Sequence, residues 1–402
     1  MSQQPSRQSP NTRISAAAWP VARGNKIDRE KGKENRKMQS RKNARPYTKH
    51  PKTEKNYKEE YITINGTKQY LLHYPFKKEA PVLLFIHGGP GQSETMMAYI
   101  LEEYKTRNYN IVYYDQRGAG KTFLKNKKAK PDTELLKQDL LEIVQYLKKR
   151  YKKEKIGIIG HSWGSVLGSM FALEHPEHTL CYIGCGQVIS FMENERTGFE
   201  KLKSAIEESG KERDKRKLMK IGEYPEAGAF DMKYFRKMGQ VRKLQGKYHL
   251  AMDMDMDMIK MFLHCPVMGA ADILPFLTGL LLNMQVMREL TSYDLRDKGR
   301  QYQVPVYYVL GENDQQTPVE IATSYFGEIT APEKNLYLIK NAGHLTMLDN
   351  MDDYRTAICE IVKAAVLKQP LFHCISPYSQ IYPIRPAKDG AAARMSLGTS
   401  IK

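Results

Sequence analysis

Four nearly uninterrupted apolar runs recur along the middle of the chain: PVLLFIHGG (81–89), NIVYYDQRG (110–118), KIGIIGHS (155–162) and TLCYIGCG (179–186). A strand must be apolar on both sides to read this way, so each run predicts a strand covered on both faces. Between them lie stretches with helical periodicity. One helix is expected near 94–107. TELLKQDLLEIVQYLKKRY (133–151) puts Leu136, Leu140, Ile143 and Leu147 on one face, and WGSVLGSMFALEHP (163–176) continues directly from the third run. Such alternation implies an α/β chain with a mostly parallel, doubly wound sheet and right-handed crossovers. Ahead of it, YITINGTKQYLLHY (61–74) alternates around Asn65-Gly66 as a β-hairpin does, and order is expected to begin there.

The pattern lapses over 188–303, a helical, charged and Met-rich stretch. It resumes with VPVYYVLGEND (304–314), a helix near 318–328, NLYLIKNAGH (335–344) and a last helix over 351–367. An insertion this late in a parallel sheet emerges at the carboxyl ends of the strands, where ligands bind, so 188–303 is expected to form a helical cap or lid. The core is then 61–187 with 304–368.

Charge separates the ends from this core. Residues 1–60 carry 16 Lys/Arg against 6 Asp/Glu, a net +10, and residues 371–402 carry a net +3, which leaves +5 of the total +18 for the rest. Without apolar periodicity to offset the entropy of ordering, 1–60 is expected to be a disordered basic tail and 369–402 an irregular one. Clustered cations attract polyanions nonspecifically, yet a solvated tail needs no partner, and no specific nucleic acid is expected. The longest apolar run, ILPFLTGLLL (273–282), is shorter than a membrane helix requires, and no apolar leader stands near the start. Five scattered cysteines without a C-x-x-C pair suit reduced thiols and a cytoplasmic setting.

The stretch GHSWGS (160–165) sets a serine in G-x-S-x-G between an apolar strand and a helix, the context of a nucleophile elbow. Acyl transfer from a serine also needs a base, a carboxylate to orient that base, and donors for the oxyanion. NAGHLTM places His344 just after the last strand, and GENDQQTP places Asp314 after the preceding one. Ser162, Asp314 and His344 therefore follow in the order nucleophile, acid, base. Glu312 is the alternative acid, but it belongs to the strand end. His161, next to Ser162, is expected to point to the opposite face and away from the reaction. HGGPG (87–91) follows the first buried strand, so the N–H groups of Gly89 and Trp163 are candidate oxyanion donors, with Gly88 beside them at the substrate.

Three other patterns read more plainly as structure. DQRGAGKT (115–122) is close to a phosphate loop but has Asp115 where the first glycine belongs. His175 and His178 in HPEHT lack a third zinc ligand nearby. Asp253, Asp255 and Asp257 in MDMDMDM (252–258) lack the glycine and glutamate of a calcium loop and suit a solvated helix face. No metal or cofactor is expected.

Taken together, HGGPG, DQRGAG, GHSWGS and the late Asp and His resemble the proline iminopeptidase group of α/β-hydrolases over about 61–368. The resemblance implies an α/β-hydrolase fold with a helical cap. It implies Ser162, Asp314 and His344 as the triad, Gly89 and Trp163 as the oxyanion hole, and removal of N-terminal proline from small peptides. The group's elbow reads G-G-S-W-G-S, and here His161 replaces the second glycine. Acidic cap residues bind the substrate amine in that group. Glu193 and Glu195, where the cap begins, are the candidates, although acids at a helix start also suit the macrodipole. The same triad serves carboxylesterases and lactonases, and a ligand-binding protein on this scaffold is the non-enzymatic alternative. The sequence does not fix the oligomeric state.

Overall fold

A computed structural model describes residues 57–75, 77–101, 108–226, 230–251, 265–367 and 380–381. The basic tail before residue 57, the MDMDMDM run and most of the stretch after 367, with Cys374, lie outside the described residues.

The hairpin forms as expected from β1 (Lys58–Ile64) and β2 (Thr67–Tyr74), paired antiparallel. Asn65 and Gly66 both take positive φ, 45° and 74°, which a two-residue turn of this twist requires. The strand starts three residues earlier than the expected boundary at 61. Glu60 explains this: one of its oxygens meets His73 Nε2 at 2.9 Å and accepts from the Tyr146 hydroxyl at 2.6 Å, so a residue assigned to the tail is held by the core.

The four apolar runs become β3 (Val82–Ile86), β4 (Asn110–Tyr114), β5 (Ile156–His161) and β6 (Thr179–Cys185), and the late ones β7 (Val306–Gly311) and β8 (Lys334–Ile339). With β9 (Gln380–Ile381) they complete a sheet of order β1-β2-β4-β3-β5-β6-β7-β8-β9. From β4 to β8 every pairing is parallel; β2 joins β4, and β9 joins β8, antiparallel. β9 is a departure from the irregular C-terminal tail the sequence suggests. The strands stop one to five residues short of their apolar runs, because the glycines and polar residues that end each run form the loops of the carboxyl edge.

Why the runs are continuous is visible along β3. Leu84 and Ile86 belong to one hydrophobic core, Leu83 and Phe85 to a second on the opposite face. The first core is completed by α3 (Thr133–Tyr151) and α4 (Trp163–Glu174), the second by α1 (Thr95–Ile100) and α12 (Met351–Leu367). α3 carries its apolar face where the periodicity places it, with Asp132 accepting from Leu135 N at 2.8 Å as N-cap. Among the helices that were not legible is α2 (Gly120–Lys125), inside the phosphate-loop lookalike.

Between β6 and β7 the chain inserts α5 (Phe191–Ser209), α6 (Glu212–Ile221), α7 (Met232–Lys247), α8 (Ile273–Leu282) and α9 (Met284–Leu290). After β7 come α10 (Val319–Glu328) and the short α11 (Thr346–Asp349). Among the described residues no single helix is long and apolar enough to cross a membrane.

Leu140, fully buried where α3 meets the sheet, tests the packing. Leu140→Ala should cost about 2–5 kcal/mol, read from the shift of the urea midpoint at unchanged slope. A change below about 0.5 kcal/mol would contradict the placement of α3.

Candidate active site

The elbow is built by close backbone approach. A Cβ on Gly164 would overlap the carbonyl of Ile86 at the end of β3, and one on Gly160 would overlap the Gly164 carbonyl and the Ser165 Cα. Two glycines therefore let α4 begin immediately against the sheet. Ser162 between them adopts φ 51°, ψ −120°, a strained conformation for a residue with a side chain. Its N–H donates to the Cys185 carbonyl at 3.0 Å, and its own carbonyl accepts from Ser165 N at 2.8 Å and Ser165 Oγ at 2.6 Å.

β5, β7 and β8 are parallel, so the loops that follow them meet at one edge. His344, after β8, places Nε2 3.0 Å from Ser162 Oγ and Nδ1 2.9 Å from Asp314 Oδ2. The three residues span 182 positions in sequence, yet form one line of contact. Asp314, after β7, is fully engaged. Its Oδ1 accepts from the N–H groups of Gln316 and Thr317, each at 2.9 Å, and its Oδ2 from Thr317 Oγ1 at 2.8 Å. Burial pushes the Asp314 pKa up, but the neighbouring His344 and the Thr317 donors outweigh it and hold the carboxyl below its ordinary range. Glu312 serves elsewhere, accepting from Asn341 N at 2.8 Å. Gly186, at φ 52°, gives the imidazole its room: a Cβ there would lie 3.0 Å from His344 Cε1.

Gly89 takes φ 117°, and a Cβ on it would fall 2.7 Å from the amide nitrogens of both Gly91 and Gln92. Trp163 is the first residue of α4, so no carbonyl four residues back can accept its N–H within the helix. Gly88 is different from the expectation. Its N–H donates to Glu94 Oε2 at 3.1 Å, which leaves that group committed within the protein.

The DQRG motif locks these loops together. Gln116 N donates to His87 Nε2 at 3.0 Å, Gln116 Nε2 donates to the His87 carbonyl at 2.8 Å, and Gln116 Oε1 accepts from Trp163 Nε1 at 2.9 Å. Because Nε2 of His87 accepts, its Nδ1 carries the proton and donates to the Gly88 carbonyl at 2.8 Å. Arg117 forks onto buried Asp139 at 2.8 and 2.9 Å and donates to the Asn65 carbonyl at 3.2 Å, tying the hairpin turn to α3. Asp115, which stands where a phosphate loop has its first glycine, is bound within the protein: it accepts from Lys121 N at 2.6 Å and Ser93 Oγ at 2.5 Å. Burial pushes its carboxyl up to about 7.

Two expectations about charged residues change. The His161 ring does not turn away. It sits 5.1 Å from the His344 ring between centroids, because His161 ends β5 and alternation no longer governs a residue at the elbow. Glu193 and Glu195 are both taken by arginines: Glu193 pairs with Arg296, and buried Glu195 pairs with Arg242 while accepting from Tyr224. His175 and His178 flank Glu177, and His178 Nδ1 lies 2.8 Å from Lys148 Nζ. Among the described residues no group of three or more potential metal ligands occurs.

A family model described as the alpha/beta hydrolase fold matches residues 81–208. A protein named probable aminopeptidase YbaC, from Bacillus subtilis (strain 168), is 26% identical over 286 residues, covering 70% of this chain and 89% of its own. A proline iminopeptidase of Heyndrickxia coagulans is 22% identical over 315 residues, covering 77% and 99%. The crystal structure of a proline iminopeptidase from Mycobacterium smegmatis matches the fold with a TM-score of 0.57 at 16% identity, over 77% of this chain and 99% of that one.

The Asp314 carboxyl gives a titration test. Folding lowers its pKa, so the ionised form stabilises the protein above the ordinary value near 3.9, and that contribution fades as pH falls through the native-state value. The stability difference between wild type and Asp314→Asn, from urea unfolding at pH 7 down to about 3, should be largest at neutral pH and shrink in acid. A difference that grows in acid would contradict the pairing.

Proposed function

We propose that this chain, an α/β-hydrolase of the proline iminopeptidase type, is a serine hydrolase whose preferred reaction is removal of an N-terminal proline from small peptides. The observation that carries the serine mechanism is the 3.0 Å contact of His344 Nε2 with Ser162 Oγ, with Asp314 at 2.9 Å from the other ring nitrogen. Ser162 Oγ attacks the acyl carbon as its proton passes to His344 Nε2. Asp314 keeps the opposite ring nitrogen protonated and stabilises the imidazolium that results. The N–H groups of Gly89 and Trp163 hold the developing oxyanion. His344 then returns the proton to the leaving amine, which departs as the peptide shortened by its first residue. Water activated by the same imidazole frees the acyl group from Ser162.

The inserted helices α5–α9 act in this reading as a cap over the site. With Cys181, Cys185 and Cys265 buried as thiols, a reducing cytoplasmic setting fits the reading. A second reading, a carboxylesterase or lactonase, is favoured by the charge balance of the cap. Glu193 and Glu195 already face arginines, which weakens their claim on a substrate ammonium.

Turnover of a proline arylamide and of short-chain aryl esters by the purified protein separates the two. The proposal expects hydrolysis of the prolyl amide, lost by at least about 10³-fold in Ser162→Ala. Fast ester cleavage with an inert prolyl amide would move the chain to the second reading.

A further inference from the structure

His161 and Glu94 have no part in the proton transfers above, yet both are buried against them, 2% and 8% exposed. They come from different elements, the last residue of β5 and the residue just before α1, 67 positions apart. His161 Nδ1 lies 2.7 Å from Glu94 Oε1, and its Nε2 lies 3.1 Å from the backbone carbonyl oxygen of His344. Both ring nitrogens thus face oxygen acceptors. A neutral imidazole has a single N–H and could satisfy one of them; the imidazolium satisfies both.

Glu94 has a second duty, since its Oε2 accepts the Gly88 N–H at 3.1 Å. Packing here leaves no slack: a Cβ on Gly88 would lie 3.2 Å from Ser162 Cβ, 3.3 Å from Glu94 Oε1 and 3.4 Å from His161 Nδ1. The chain of contacts runs from the glycine loop after β3, through the residue preceding the nucleophile, to the backbone of the base after β8.

We propose that His161 and Glu94 form a buried ion pair of positioning residues, holding the Gly88 loop, the elbow and the His344 loop in one register for acyl transfer. The proposal rests on the serine-hydrolase reading above. It gives a role to the position at which GHSWGS departs from the glycine of the related elbows. The charges agree with the geometry. Burial favours the neutral form of each group, but their mutual attraction outweighs it, raising the pKa of His161 and lowering that of Glu94. Asp314 adds to the field that favours the imidazolium, and His87, kept neutral by burial, adds no competing charge.

The test uses the full chain as wild type, Ser162→Ala, Glu94→Gln, His161→Gln and the double variant. The readouts are the labelling rate with a fluorophosphonate probe, kcat and KM on whichever arylamide or aryl ester the wild type cleaves, the melting temperature, and ring ¹⁵N shifts assigned by loss of the His161 signals. Each single variant should label and turn over about 10–100-fold more slowly with KM within about threefold, as expected of displaced reacting groups. The double variant should be no worse than the poorer single one, because the pair acts as a unit. Both nitrogens of His161 should be protonated in wild type at pH 8, and not in Glu94→Gln. Wild-type rates in the single variants, losses that follow only the unfolded fraction, or a neutral His161 ring in the wild type would overturn the proposal. Should His161→Gln fail to fold, the labelling rate and turnover of the isosteric Glu94→Gln still decide. A wild type that labels no better than Ser162→Ala would instead remove the serine-hydrolase reading, and the positioning role with it, before any pair variant is compared.

Discussion

The contact between the end of β3 and the start of α4 governs the geometry of the whole site. Backbone touches backbone there, with Gly164 against the Ile86 carbonyl and Gly160 against Gly164. Larger residues would push the helix off the sheet and flatten the turn. The same contact forces Ser162 to φ 51°, at a cost on the order of 1–3 kcal/mol. Hydrogen bonds on both sides of the serine, to Cys185 and from Ser165, offset that strain and hold Oγ up toward the carboxyl edge. Since β5, β7 and β8 run parallel, the loops bearing Asp314 and His344 arrive at the same edge, and the triad distances follow from strand direction.

The inserted helices are tied to this edge at several points. Asn283, between α8 and α9, donates to the Gly118 carbonyl at 3.0 Å, and Gly279 of α8 packs against Gly91 with no room for a side chain. Glu289 of α9 accepts from Thr133 N at 2.7 Å, and Lys201 of α5 reaches Gln315, next to Asp314. The insertion therefore touches the glycine loop, the DQRG loop and the acid loop together. Its acids Glu193, Glu195 and Asp214 are matched internally by Arg296, Arg242 and Lys247. A buried carboxylate left alone would be costly, so Arg242 on Glu195 is what the interior of such a helical layer demands.

Much of this was written locally in the chain. Continuous apolar runs such as PVLLFI announce strands covered on both faces, and Leu84 and Leu83 indeed feed opposite cores. The elbow glycines and the order Ser162, Asp314, His344 need only short motifs placed after strands. What was not legible depends on pairs distant in sequence. Glu94 meets His161 across 67 positions and Glu195 meets Arg242 across 47, and with 63 lysines and arginines in the chain no spacing rule selects those partners. Strand alternation misplaced the His161 ring because the strand ends at that residue. Gln116 and His87 lie inside recognised motifs, but their joint role as a brace between the glycine loop and Trp163 appears only when β3, β4 and β5 stand side by side. Helix α2 was hidden because its N-terminal donor is met by Asp115 rather than by a residue adjacent to its first turn.

The central claim is that a hydroxyl, an imidazole and a carboxylate brought to one sheet edge perform acyl transfer through a covalent serine. Rapid acid quench of the protein with an activated acyl substrate, followed by peptide mapping by mass spectrometry, reads this directly. The account predicts an acyl adduct, one per chain, on the peptide carrying Ser162, formed faster than steady-state turnover requires and greatly slowed in His344→Ala. An adduct on another residue, or full turnover by Ser162→Ala with no adduct at all, would contradict it.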